Sequence, residues 1–228
     1  MIQITDHPGQ IRARVTQALT DAGRAGDDVR VVAVSKQHSA ESIRRLFASG
    51  ITDFGESYLD EALPKLDELS GLDITWHFIG RIQANKTRAI AERFHWVHSL
   101  DRERVARRLD AQRPDHAEPL NVLIQVNLAN EPQKGGVDPG QATDLAGCVA
   151  DLPRLRLRGL MGIAPVAYSG QESLEYFATL RMLHDELRAA GHSLDTLSMG
   201  MSGDFQAAIA AGSNCVRIGT ALFGPRSR

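Results

Sequence analysis

The sequence predicts a single (β/α)8 barrel of the TIM type, preceded by one extra helix. Three observations predict it. Eight short apolar or β-branched runs alternate with helical patterns along the 228 residues. Several runs, such as Val31-Val32-Ala33-Val34 and Val122-Leu123-Ile124, are apolar without alternation, as strands covered on both faces are. No glycine-rich fingerprint follows the first run, where an open doubly wound sheet would carry one; Val34-Ser35-Lys36-Gln37 stands there instead.

In chain order, a helix over about Pro8–Ala22 precedes the first strand, Arg30–Ser35. Further strands are expected at Thr52–Gly55, Thr75–Gly80, Trp96–Leu100, Leu120–Asn127, Leu157–Ile163, Thr196–Met199 and Val216–Thr220. Helix starts are marked between them. Ser39 offers a cap before Ile43, Leu46 and Phe47 at helical spacing, and Asp101 is expected to do the same before Val105 and Leu109. Asp138-Pro139 puts a cap residue ahead of a first-turn proline. Gly50, Gly191 and Gly212 stand where helices should stop. With no linker or low-complexity segment, residues 1–228 read as one domain.

Composition narrows the function. The formal charge of -2 supplies no basic field for polyanions, so nucleic acid is not an expected partner. Cys148 and Cys215 form no CxxC or ligand cluster, and no metal-binding motif occurs; reduced core cysteines and no metal are expected. The N-terminus is polar where a secretory signal needs an apolar run, and no segment has the apolar length to span a bilayer. A cytoplasmic protein is the expectation.

Chemistry points to the carboxyl ends of the strands, where barrels carry their sites. Lys36 lies just past the first strand. A partly desolvated amine there is a nucleophile toward carbonyls, or else a lysine that snorkels to solvent or pairs with Glu56. After the seventh strand comes Met199-Gly200-Met201-Ser202-Gly203-Asp204, and the eighth runs out through Arg217-Ile218-Gly219-Thr220. Glycines admit an anion close to the backbone, Ser202 and Thr220 supply hydroxyls, and a helix starting near Asp204 adds amides. Loops after strands 7 and 8 are where barrels hold phosphate. The first and last strands are neighbours in a closed barrel, so one ligand would satisfy both features: an aldehyde carrying a phosphate. His77, between Trp76 and Phe78, reads as a hydrogen-bonded core or rim histidine, or as a contact to a ring. The turn Lys134-Gly135-Gly136 reads as a solvated loop or an anion-binding one, and the Arg102–Arg108 cluster as a charged outer helix face.

The motifs AVSK ending at Lys36, FGESY at 54–58, WHFIGRIQANK at 76–86, QVN…EPQKGG at 125–136, GLMGIAP at 159–165 and LSMGMSGD…VRIGTALFG at 197–224 span nearly the whole chain in order. In them the sequence resembles the pyridoxal 5′-phosphate homeostasis proteins, which share the barrel of the alanine racemase N-terminal domain. The resemblance implies that Lys36 holds pyridoxal 5′-phosphate (PLP) as a Schiff base, with Ser202, Gly219 and Thr220 on the phosphate and Arg217 facing the pyridine nitrogen. It also puts Ser57, His77, Met199 and Gly200 at the cofactor. Family members read FGEN where this chain has Ser57, GPLQSNK where it has Arg81, Ile82 and Ala84, and an acid near Gly203. A guanidinium only donates, so a nitrogen opposite Arg217 stays unprotonated and the ring is a weak electron sink. Related racemases carry a second, β-rich domain with a tyrosine base. This sequence runs only a few residues past the eighth strand, through Gly224-Pro225-Arg226 to Arg228, and Tyr58, Tyr168 and Tyr176 match no such motif. The expectation is therefore a monomeric carrier that stores, delivers or buffers PLP, with apo PLP-dependent enzymes as partners. A weakly active PLP-dependent racemase or decarboxylase is the alternative.

Overall fold

The computed structural model describes residues 8–129, 131, 135–165 and 170–224. Lys134, Tyr168 and Pro225-Arg226 therefore lie outside the described residues. Eight parallel strands close into a barrel in sequential order: β1 (Arg30–Val34), β2 (Asp53–Glu56), β3 (Thr75–Phe78), β4 (Trp96–Leu100), β5 (Leu120–Gln125), β6 (Leu155–Met161), β7 (Thr196–Met201) and β8 (Cys215–Ile218). Closure pairs β1 with β8, Val32 opposite Arg217. Around them run α1 (Pro8–Asp21), α2 (Ala40–Ala48), α3 (Leu59–Glu68), α4 (Thr87–Arg93), α5 (Glu103–Gln112), α6 (Pro139–Ala150), α7 (Gly170–Ala189), α8 (Phe205–Ala210) and α9 (Thr220–Phe223). The (β/α)8 barrel and its extra N-terminal helix are as the sequence predicts.

The local signals explain the boundaries. Ser39 caps α2, its side chain accepting from the Ser42 amide, and Asp138 caps α6 by accepting from Gly140. Gly50, Gly191 and Gly212 follow helices with φ of 91°, 99° and 101°, the left-handed stop that glycine takes at no steric cost. The expectation for Asp101 is corrected. Arg102 occupies the N-cap of α5 without a side-chain cap, and Asp101 turns aside to pair with the Arg102 guanidinium at 2.5 Å. Helix faces such as Ile43 and Leu46 on α2, or Val105, Ala106 and Leu109 on α5, are buried against the strands. Each large aliphatic side chain so buried contributes roughly 1.5–3 kcal/mol.

Three β-bulges shape the interior. The register slips between Val97 and Leu100 on β4, around Leu157–Gly159 on β6 and between Ser198 and Met201 on β7. An added residue re-aims the side chains beside it, a device common next to functional sites. On β6 it falls beside Gly159, whose φ is 150° and where a Cβ would lie 1.9 Å from the Thr196 carbonyl oxygen. No side chain fits there. On β4 and β7 the bulges turn His98 and Ser198 inward, with consequences described next.

Candidate functional site

Lys36 opens the turn that follows β1. The turn is closed by the His38 amide donating to the Ser35 carbonyl at 3.1 Å, and Gln37 takes φ 65°, the one positive φ outside glycine among the described residues. The Lys36 side chain is partly buried. Ser35, just before it, is fully buried: its amide donates to the Gly55 carbonyl at 3.0 Å and its Oγ to Glu56 Oε1 at 2.7 Å. His38 stacks on Phe223 of α9 with ring centroids 4.5 Å apart, which ties the lysine loop to the segment leaving β8.

That segment and the β7 loop converge on the same place. Gly219 lies against β1, so that a Cβ on it would sit 3.6 Å from Val34 Cβ and 3.8 Å from the Val34 carbonyl oxygen. The Ala221 amide donates to Ser202 Oγ at 3.4 Å, bridging the two loops. Asp204 Oδ1 accepts from the Met201 amide at 2.6 Å and shapes the β7 loop. Gly200 has φ 96°, and a Cβ there would meet Ala208 Cβ at 2.7 Å and Phe205 Cα at 2.9 Å. Glycine at 200 thus lets α8 pack close under the loop. Lys36, Ser202, Gly219 and Thr220 are brought to one end of the barrel, as the spacing predicts.

Arg217 is 4% exposed on β8. Its Nη1 donates to the Ser198 carbonyl at 2.7 Å and to Ser198 Oγ at 2.6 Å, and its Nη2 to the Gly162 carbonyl at 2.9 Å. No carboxylate pairs with it among the described residues. Burial pulls its pKa below the usual guanidinium value, yet guanidinium stays protonated in proteins.

The charge is answered at a distance. His98 Nδ1 lies 2.9 Å from Ser198 Oγ, His98 Nε2 lies 2.9 Å from His77 Nδ1, and His77 Nε2 lies 3.0 Å from Asp53 Oδ1. Burial would raise the Asp53 carboxyl, but the hydrogen bond from His77 and the nearby Arg30 guanidinium outweigh it and hold the acid below its usual range. Asp53 is thus an acceptor only, and His77 Nε2 carries a proton. Burial lowers the pKa of His77 despite Asp53, and drives that of His98 well below the usual value, aided by the charge of Arg217. Both rings are then neutral at pH 7, and the donor order follows: Arg217 to Ser198, Ser198 Oγ–H to His98 Nδ1, His98 Nε2–H to His77 Nδ1, His77 Nε2–H to Asp53. A fully satisfied buried chain of this kind fixes every tautomer in it. Its far end lies where the strands begin, with Arg30 Nε 3.4 Å from Asp53 and the Arg30 and Arg158 guanidinium carbons 4.6 and 4.8 Å from the Trp96 ring centre.

Three expected site residues have other surroundings. His77 is fully buried with both ring nitrogens engaged in the chain, which is the core-histidine alternative left open by the sequence. Met199 is fully buried in the main hydrophobic cluster. Ser57 is partly exposed and lines a cavity of about 200 Å³ with Tyr58, Phe78, Arg81, Gln83 and Lys86. Sequence reasoning missed Asp53, His98, Ser198 and Lys65. The available signal for the first three was polar residues inside otherwise apolar strands, which must find partners when both faces are covered. Glu56 meets a cation in Lys65, at 2.8 Å. Tyr176 on α7 is buried, makes backbone hydrogen bonds with Ile163 and Leu128, and is pushed up to about 12 by burial. Among the described residues no group of three His, Cys, Asp or Glu could hold a metal ion, and no helix is long and apolar enough to cross a membrane.

A closed (β/α)8 barrel with a lysine after its first strand, beside the loops of its last two, is the class that fold and site define. The chain belongs to the alanine racemase N-terminal domain family, whose profile matches residues 7–227, and within it to the group of pyridoxal phosphate homeostasis proteins. The pyridoxal phosphate homeostasis protein of Pseudomonas aeruginosa is 49% identical over 226 residues, covering 99% of this chain and 97% of that one. That of Escherichia coli K12 is 43% identical over 229 residues, covering 99% and 98%. PipY of Synechococcus elongatus, solved with PLP bound, superposes with a TM-score of 0.82 at 36% identity, covering 92% of this chain and 100% of that one.

Proposed function

We propose that this chain binds pyridoxal 5′-phosphate, holds it as a Schiff base on Lys36, and stores, delivers or buffers it as one cytoplasmic, monomeric domain spanning 1–228. The observation that carries the reading is the meeting of the Lys36 turn with the two converging loops: Gly219 against Val34, His38 on Phe223, and Ser202 beside Ala221. The residues present fit the group. A phosphate needs donors that a backbone can bring close, and Gly219, Ser202 and Thr220 supply them. A pyridine nitrogen needs one donor, and Arg217 is a buried cation without a carboxylate partner among the described residues. PLP bound there supplies an aldehyde, the group with which a lysine amine makes a covalent link.

The chain's own residues then have distinct duties. Ser202 and Thr220 orient the phosphate, and Gly200 and Gly219 admit it. Arg217, locked by Ser198 and Gly162, donates only and keeps the ring nitrogen without a proton. His77 supports Arg217 from below, through His98 and Ser198. Losing both hydroxyls in Ser202→Ala/Thr220→Ala removes up to two hydrogen bonds to a charged group, roughly 1.5–3 kcal/mol each. PLP affinity should fall by about tenfold or more, while pyridoxal without the phosphate binds as in the wild type. Unchanged PLP affinity in the folded variant would place the phosphate elsewhere.

The carrier reading is favoured over an amino-acid racemase or decarboxylase by Arg217, a buried donor without a carboxylate partner among the described residues, which would leave the ring a weak electron sink. The test pairs α-proton exchange of amino acids in heavy water with transfer of PLP to an apo PLP-dependent enzyme. Silence in the first with transfer in the second supports the carrier; exchange at enzymatic rates overturns it in favour of the racemase.

A further inference from the structure

Beneath the Lys36 turn lies a charged cluster that the reading above leaves without a task. Lys65, on α3, is 8% exposed, and Glu56, at the end of β2, is fully buried. Lys65 Nζ donates to Glu56 Oε1 at 2.8 Å, to Glu61 Oε1 at 2.5 Å and to the Ser35 carbonyl at 3.0 Å. Glu56 Oε1 also accepts from Ser35 Oγ, and Glu61 Oε1 accepts from the Gln37 amide at 2.5 Å. Residues 35 and 37, on either side of Lys36, are therefore gripped by the same three side chains.

Stability alone does not account for this cluster. Burying two charges costs more than their attraction usually returns, and well-packed apolar residues do as well or better. Glu56 is not even fully satisfied, since its Oε2 is buried with no hydrogen-bond partner. What apolar residues could not supply is directional bonds to the backbone around Lys36. Gln37 at φ 65° is in a conformation that persists only where its surroundings over-determine it. The Glu61 bond to its amide and the Lys65 bond two residues earlier supply that constraint. A lysine amine hangs on four rotatable bonds, so its reach toward a fixed carbonyl depends on where its backbone is held.

We propose that Lys65, with Glu56 and Glu61, is a positioning residue for Lys36: it fixes the turn so that the Lys36 amine meets the aldehyde of a ligand whose phosphate is already seated. This rests on the reading of Lys36 given above. Lys65 does not touch the ligand in this account; it acts through Ser35 and Gln37.

The test compares two ligands on the full chain. PLP can react with Lys36, whereas pyridoxine 5′-phosphate keeps the ring and phosphate but has an alcohol in place of the aldehyde. In Lys65→Met, covalent capture of PLP, followed by its visible band, should slow by about tenfold or more, the worth of one lost hydrogen bond to a charged group. Affinity for pyridoxine 5′-phosphate should stay within about twofold of the wild type, a change of under half a kcal/mol. Lys65→Arg, which can still donate to Ser35 and both glutamates, should recover most of the capture rate. Should Lys65→Met fail to fold around the bare Glu56, the pair Lys65→Met/Glu56→Gln removes both charges together and should fold and capture slowly. Equal weakening of both ligands would mark a merely structural role and overturn the proposal, as would capture at the wild-type rate. A wild-type protein that borohydride fails to label on Lys36 refutes the reading of Lys36 itself. A labelled wild type with a fast Lys65→Met variant refutes the positioning role alone.

Discussion

Lys36→Ala should abolish the visible absorption of bound PLP and weaken its retention by about a hundredfold or more, the scale on which a covalent tether exceeds one or two hydrogen bonds. The side chain is partly buried at the barrel's mouth, and the backbone around it is anchored at Ser35 and Gln37, so the truncation leaves the turn itself intact. Thermal stability should stay near that of the wild type. Residual, purely reversible affinity should remain, because the Ser202, Gly219 and Thr220 cradle and Arg217 are untouched. Absorption spectra and equilibrium dialysis of the variant check this directly. A persistent visible band in Lys36→Ala would assign the amine to another lysine.

Acid should weaken this barrel before carboxylates begin to protonate. His77 and His98 are fully buried, and burial lowers both pKa values, the second strongly. The unfolded chain binds a proton on each near pH 6.5, whereas the folded chain does not until lower pH. Their contribution to stability is complete above about pH 6.5 and is lost as pH falls below it, at up to about 1.4 kcal/mol per pH unit for each ring. His184, also lowered by burial on α7, adds to the slope. Denaturant midpoints between pH 7.5 and 5 measure the effect. His98→Gln, which cannot take the proton, should flatten the curve by about one histidine's share. Equal midpoints at pH 7.5 and pH 5 would contradict the neutral relay from Arg217 to Asp53.

Much of the architecture was legible because it rests on local rules. Eight apolar runs, the Ser39 and Asp138 caps and the glycine stops at 50, 191 and 212 each carry their own physical signal, and the structure follows them. Boundaries moved by one or two residues where pairing, not propensity, decides: β1 ends at Val34, and β7 runs on to Met201 through the bulge at Gly200. The convergence of the loops after β7 and β8 on the Lys36 turn was readable because a closed barrel makes its first and last strands neighbours. The relay was not. His98 and Ser198 are 100 residues apart, and only the bulges on β4 and β7 turn them toward each other inside the barrel. Lys65 was hidden for a different reason. With Glu61 one turn before it on α3, it reads as an exposed i,i+4 pair, and only the packing of α3 under the β1 turn buries it.

The most direct test of the account is borohydride reduction of the PLP-loaded protein, followed by peptide mapping by mass. The account predicts the reduced cofactor on the peptide containing Lys36, in one equivalent per chain. Label recovered mainly on Lys65, Lys86 or Lys134, or none at all on a protein that had shown the visible band, would contradict it.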